Sequence, residues 1–220
     1  MKTIQSQTNS KDDTVPSQDS EMSNVVALDP DGDAILDIRT SVTHKKASFL
    51  ISTKVLSLAS PVFARMFGPD FAEGRRIVRS DCPRIELGDD DADTMETVLE
   101  VLHYRSGEKA MFVNAARLAD LAIHCDKYYC TNALRPWISY WFSTLDILTS
   151  SPEELGLLLL AAYMFDNSQQ FAIVSEKVLE ELTPKFCLTL KTHKILQMLP
   201  ASVQSEFGFQ KSFGNGTDLV

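Results

Sequence analysis

Two periods of hydrophobic and polar positions run along the chain. After the turn signal Asp31-Gly32, Ala34 to Ile38 read as a strand and Ala47 to Ile51 as a second. The polar stretch from Arg39 to Lys46 predicts a hairpin loop between them. At Ser52 the period changes. Val55, Leu58, Ala59 and Val62 fall at i, i+3, i+4 and i+7, the spacing of one helix face. Ser60-Pro61 interrupts that face. Serine caps well and proline suits the first helical position, so a second short helix starts there and carries Phe63, Met66 and Phe67. Gly68-Pro69 ends the pair. Residues 72 to 83 are charged, lack a period and read as irregular. Ile85 to Leu87 form a brief strand stopped by Gly88.

From there on the period is helical. Asp93 with Glu96 resembles a capping box, opening a helix with Met95, Val98, Leu99 and Leu102 on one face. Leu118, Leu121, Ala122 and Cys125 mark another. Trp137, Ile138, Trp141 and Phe142 mark a third, from about Asn132 to Leu145. Ser151-Pro152-Glu153-Glu154 is the best-formed helix start in the chain, with serine as cap, proline first and Glu154 able to reach back. The helix it opens, to about Phe165, is apolar nearly all round through Leu157 to Leu160 and therefore wants cover on more than one side. A helix from Ser168 to Leu182 is stopped by Thr183-Pro184, and Leu188 to Leu199 predicts a last one before Pro200. Two strands, a helix pair, one strand and then helices make an α+β fold.

Composition narrows the class. Residues 1–28 form an N-terminal tail, polar almost throughout its first 24, that cannot bury enough surface to offset chain entropy; it is expected to be disordered. Residues 201–220, with three Phe, three Gly and no period, read as a flexible tail. The net charge of −9 and pI of about 4.9 repel phosphate, so nucleic acid is not an expected partner. The longest apolar run, Leu155 to Phe165, is too short for a bilayer, and the N-terminus lacks the apolar stretch of a signal peptide. No membrane association is expected. Four cysteines without a CxxC pair fit an intracellular protein with reduced thiols, in cytoplasm or nucleus.

Candidate chemistry is sparse. His124-Cys125-Asp126 holds the residue types of a nucleophilic triad, but adjacent helical residues point apart, and Cys125 sits on the apolar face. His124, Cys125 and Cys130 match no common zinc spacing. Asp89-Asp90-Asp91 with Asp93 lacks the glycine and distal glutamate of an EF-hand and reads as an acidic turn feeding a helix. Arg75, Arg76, Arg79 and Arg84 form the one basic cluster, either solvated or facing an acidic partner. The expectation is a non-enzyme with no catalytic residue, no cofactor, no metal and no small-molecule substrate.

Several segments together resemble the BTB/POZ family, most closely the BTB domain-containing proteins of filamentous fungi. They are Asp31 to Leu36, Lys54 to Phe67, Ile85 to Asp91, Leu121 to Tyr128 and Ala133 to Trp137, spanning residues 30 to 145. The resemblance implies a small sheet flanked by helical hairpins over 29–146, followed here by a helical extension over 147–200. It implies a protein–protein interaction module whose relatives oligomerise, bind cullin-type ubiquitin-ligase scaffolds or recruit co-repressors. Three departures stand out. Thr53 occupies the place of a basic residue that in co-repressor binders faces the aspartate matched by Asp33. Residues 1 to 30 show no apolar helix of the kind that dimer-forming members swap. No kelch, MATH or zinc-finger pattern follows the resemblance.

Phe71-Ala72-Glu73 resembles the hydrophobic-x-Glu motif of cullin-binding members. Phe71 either anchors a partner, with Glu73 hydrogen-bonding at the rim, or folds back onto the core. The expected partner-binding set is Val62, Phe63, Met66, Phe67, Phe71 and Glu73. The first reading of function is an adaptor with a cullin scaffold as partner. The alternative is a self-associating regulatory domain of a homo-oligomer, without a ligase role.

Overall fold

A computed structural model describes residues 25–39, 46–105, 107–181 and 192–207. The stretch before Val25, the turn of the hairpin, the stop at Thr183-Pro184, the first part of the Leu188 to Leu199 helix and the tail beyond Phe207 lie outside the described residues.

Four strands form one mixed sheet: β1 (Val25–Ala27), β2 (Ala34–Arg39), β3 (Lys46–Ile51) and β4 (Arg84–Gly88), in the order β1-β3-β2-β4. β2 and β3 pair antiparallel with Leu36 opposite Phe49, as the hairpin pattern predicts. β4 runs parallel to β2, and β1 parallel to β3. β2 is the central buried strand, and Ala34 to Ile38 are all buried. That includes Asp37, a charge that needs partners. Ser48 Oγ donates to it at 2.6 Å, and Arg84 donates through Nε and Nη2 at 2.9 and 2.8 Å. Burial alone would raise the Asp37 carboxyl; the bonds from Arg84 and Ser48 outweigh it and hold the group below the usual carboxylate range.

β1 corrects the boundary of the expected N-terminal tail. Val25 to Ala27 are in strand and Leu28 is buried. Three residues carry no readable period; their backbone finds the open edge of β3 instead.

The helix pair α1 (Thr53–Ala59) and α2 (Pro61–Met66) forms as read, and Ser60 is its joint. Ser60 Oγ accepts from the Phe63 amide at 3.0 Å and donates to the Tyr128 carbonyl at 2.5 Å, tying the bend to a later helix. Residues 72 to 83 are not irregular throughout: α3 (Ala72–Arg79) occupies most of the segment. It turns only Gly74 and Ile77 inward and offers the rest to solvent, an apolar edge too short to read as a helical period.

The next helices are α4 (Ala92–Leu102), α5 (Glu108–Met111), α6 (Ala115–Tyr128) and α7 (Thr131–Thr144). The cap of α4 is Asp91, whose Oδ1 accepts from the Thr94 amide at 2.8 Å, and not Asp93. The helix starts earlier than expected because Ala92 is drawn into the core.

α8 (Pro152–Met164) opens with the capping box its sequence announces: the Ser151 amide donates to Glu154 Oε2 at 2.8 Å, and Ser151 Oγ accepts from the Glu154 amide at 3.4 Å. Every residue from Leu155 to Ala162 is buried. The cover such a helix demands comes from α6 on one side and α9 (Ser168–Glu180) on another. In place of the helix expected from Leu188 to Leu199, the described residues hold a 3-10 turn at Lys194–Met198, which adds to this cover. A last helix, α10 (Ala201–Glu206), precedes Phe207, which is buried. The expected tail thus begins later than residue 201, because Phe207 has a place in the core.

One apolar cluster runs from Leu28 through the sheet and α4, α6 and α8 to Phe207. The extension beyond residue 147 therefore shares its core with the sheet-bearing part. Among the described residues no helix is long and apolar enough to cross a membrane.

Candidate protein-binding surface

The six residues singled out in the sequence lie on α2, on the turn after it and on the first turn of α3. They do not all face outward. Phe63 is fully buried, its ring stacked on Tyr128 at 4.6 Å between centroids and on Phe67 at 5.7 Å. It is a core residue that supports the surface from beneath, which removes it from the binding set. A helix as short as α2 must spend one position anchoring itself, and Phe63 is that position. Val62, Met66 and Phe67 are half-buried and pack against the core with one side.

Phe71 is 46% exposed, so it is not enclosed in the core and leaves nearly half of its surface to solvent. Its backbone is held firmly. The Phe71 amide donates to the Gly68 carbonyl at 3.3 Å, and the Phe71 carbonyl accepts from the Arg75 amide at 3.1 Å. Phe71 is also the cap residue of α3, without a side-chain cap bond. Glu73 follows in the first turn, where the exposed helix amides favour negative charge.

Gly74 explains why this loop has one shape. A Cβ built there would lie 1.9 Å from the Gly68 carbonyl oxygen and 2.6 Å from that of Phe67. Only glycine lets α3 press onto the end of α2. Arg75 adds a clamp, its Nη1 donating to the Asp70 carbonyl at 3.1 Å. The exposed phenyl ring is thus mounted on a rigid platform rather than on a loose loop. The sequence did carry a signal for this, a glycine inside a charged helical stretch, but without the period of a helix it was not readable as one.

A second exposed apolar region lies on the outer face of α1. Leu58 is 77% exposed and Tyr104 93% exposed, flanking a groove of about 270 Å³ with Val55, Ala59, Val101 and Ala133. Tyr104 holds a left-handed backbone, φ 57°, at the end of α4.

No family model matches the chain, and no curated protein matches it.

The polar residues weighed for chemistry have structural partners. His124 Nδ1 donates to the Asp120 carbonyl at 2.9 Å, and its Nε2 accepts from the Asp91 amide at 3.2 Å. Cys125 is buried, and a hydrogen bond with Cys130 together with burial pushes its thiol well up, away from the thiolate a nucleophile needs. In the acidic run Asp90 is buried and accepts from Lys127 Nζ at 2.7 Å and Tyr128 OH at 2.6 Å. Asp91 caps α4. Burial acts to raise Asp91, and the bonds from Thr94 overcome it, leaving the carboxyl below its usual range. Arg117 ties the same turn down, donating to the Asp93 carbonyl and to Thr94 Oγ1.

Asp33 faces Thr53. The Thr53 amide donates to Asp33 Oδ1 at 2.7 Å and its hydroxyl to Oδ2 at 2.6 Å. Both carboxylate oxygens are met by one uncharged residue.

Proposed function

We propose that this protein is a non-enzymatic interaction module of BTB/POZ type that acts inside the cell as an adaptor. The observation that carries the reading is Phe71, a large aromatic side chain 46% exposed on a loop locked by Gly74 and Arg75. An aromatic ring held rigidly in solvent loses little conformational freedom on binding, which makes it an effective anchor. Glu73, two residues on in the first turn of α3, would accept hydrogen bonds at the rim of the contact rather than beside the ring. The order of hairpin, helix pair, parallel strand and helices supports the family reading, since the resemblance implies a small sheet with helical hairpins around it. The three described cysteines are free thiols, which fits a reducing compartment.

The partner of this surface is a cullin-type scaffold. Calorimetry with a cullin N-terminal domain tests it. Binding in the micromolar range, lost in Phe71→Ala while the circular dichroism spectrum is unchanged, is the expected result. Absence of binding by the unaltered protein would discard the adaptor reading.

The groove beside Leu58 favours a second reading, self-association. Two exposed apolar side chains around one hollow are a patch that a second copy would cover. Light scattering distinguishes the two: a stable dimer that reverts to monomer in Leu58→Asp supports self-association through α1.

A further inference from the structure

The basic cluster becomes a defined feature only in three dimensions. α3 is a helix, so Arg75, Arg76 and Arg79 project from two successive turns of its outer side. With Ser80, Pro83 and Arg84 they line an open hollow of about 500 Å³ between α3 and the start of β4. No acidic side chain lines it among the described residues. Arg84 is held at its base by Asp37. Among the described residues no carboxylate lies within ion-pair distance of Arg75, Arg76 or Arg79. Arg75 is oriented by a neutral carbonyl, that of Asp70, which leaves its charge uncompensated among the described residues.

This concentration of positive charge stands on a molecule of net charge −9. Helix polarity accounts for part of it, since Arg76 and Arg79 lie in the last turn, where cations are favoured. Polarity does not account for Arg75, nor for a hollow with arginine on both walls.

We propose that this hollow docks an acidic segment of a protein partner, an extended stretch with several Asp or Glu side chains. Guanidinium groups bind carboxylates through paired N–H bonds, and three of them along one helix offer successive sites to a peptide with spaced carboxylates. The volume exceeds what one small anion fills. A long polyanion such as nucleic acid would bring its charge against the acidic remainder of the surface, whereas a short peptide meets only the arginines. The proposal goes beyond the adaptor reading: the hollow uses the C-terminal half of α3 and does not need Phe71.

The test is fluorescence anisotropy of a labelled peptide of alternating Glu and Gly on the full chain. The comparison variants are the double substitution Arg76→Gln with Arg79→Gln, and Arg135→Glu at an exposed position of α7, which changes net charge by the same amount. Glutamine is a good helix former, so α3 is retained. The expected result is saturable binding, weakened about ten-fold or more in the double variant and less than about two-fold in Arg135→Glu and in Phe71→Ala. Equal weakening by the double variant and Arg135→Glu would reduce the effect to overall charge and overturn the proposal. So would no binding, or a single-stranded oligonucleotide of matched charge binding as tightly as the peptide. Because Phe71→Ala is included, failure of the peptide to bind leaves the adaptor reading to its own test.

Discussion

Gly74 shows most clearly how one residue shapes the surface. Alanine there has two opposing effects. It would favour the helix by up to about 1 kcal/mol, through lost freedom of the unfolded chain. It would also put a methyl carbon 1.9 Å from the Gly68 oxygen, a backbone atom that cannot step aside. Overpacking of that kind costs about 1–3 kcal/mol and here lies at the upper end. Gly74→Ala is expected to lower stability by about 2 kcal/mol net, read by denaturant unfolding, and to weaken any contact made by Phe71. His103 supplies a pH dependence. Its Nδ1 donates to the Leu99 carbonyl at 2.8 Å and its Nε2 accepts from the Ser52 amide at 3.1 Å, so both nitrogens are engaged as a neutral ring. Burial lowers its pKa from the ordinary 6.5. Below about pH 6.5 the unfolded chain takes up a proton that the folded one resists, so stability is full above that pH and declines as pH falls through the window beneath it. Chemical unfolding at about pH 7 and pH 5.5 is expected to show this loss, and His103→Gln to flatten it.

At the scale of elements, local signals and long-range ones behave differently. The Ser151 capping box and the Ser60-Pro61 joint form where they were read, because a cap needs only the three residues that follow it. Ser151→Ala is expected to reduce stability by about 1 kcal/mol, a shift in the unfolding midpoint without a change of slope. α3 escaped the reading. Ile77 packs partly against the core while Val78 stands exposed, so no i, i+3, i+4 series exists to be seen. What holds α3 in place is contact of Gly74 with the end of α2, which sequence spacing does not encode. β1 escaped likewise, since it pairs directly with β3, from which β2 separates it in the sequence. The site followed the same division. Phe71 and Glu73 were legible as a short motif. That Phe63 belongs to the core was not, because Phe63, Met66 and Phe67 are equally apolar in one dimension and only the ring of Tyr128 distinguishes them.

The whole molecule is organised around α8. Its eight consecutive buried residues join α6 to α9 and close the core that begins at the sheet. A buried leucine contributes about 1.5–3 kcal/mol. The run Leu157 to Leu160 is therefore a large contribution to the burial that offsets chain entropy. A chain ending at residue 146 is expected to lose its cooperative thermal transition and to aggregate, with the α6 face uncovered. A sharp transition in that truncated chain would mean that residues 29 to 146 fold alone and that α8 to α10 are an accessory layer.

The sequence by itself determined what depends on near neighbours and on period: the antiparallel strand pair, the helix pair, most of the later helices, the α+β class and the need of α8 for cover on several sides. Those follow from backbone geometry acting over a few residues. The tertiary structure alone decided which aromatic residues face inward, that a charged stretch is a helix, and that four arginines surround one hollow. Those outcomes depend on contacts between residues far apart in the chain, such as Ser60 with Tyr128 and Asp37 with Arg84, and the free energy of such contacts exists only once the elements have met.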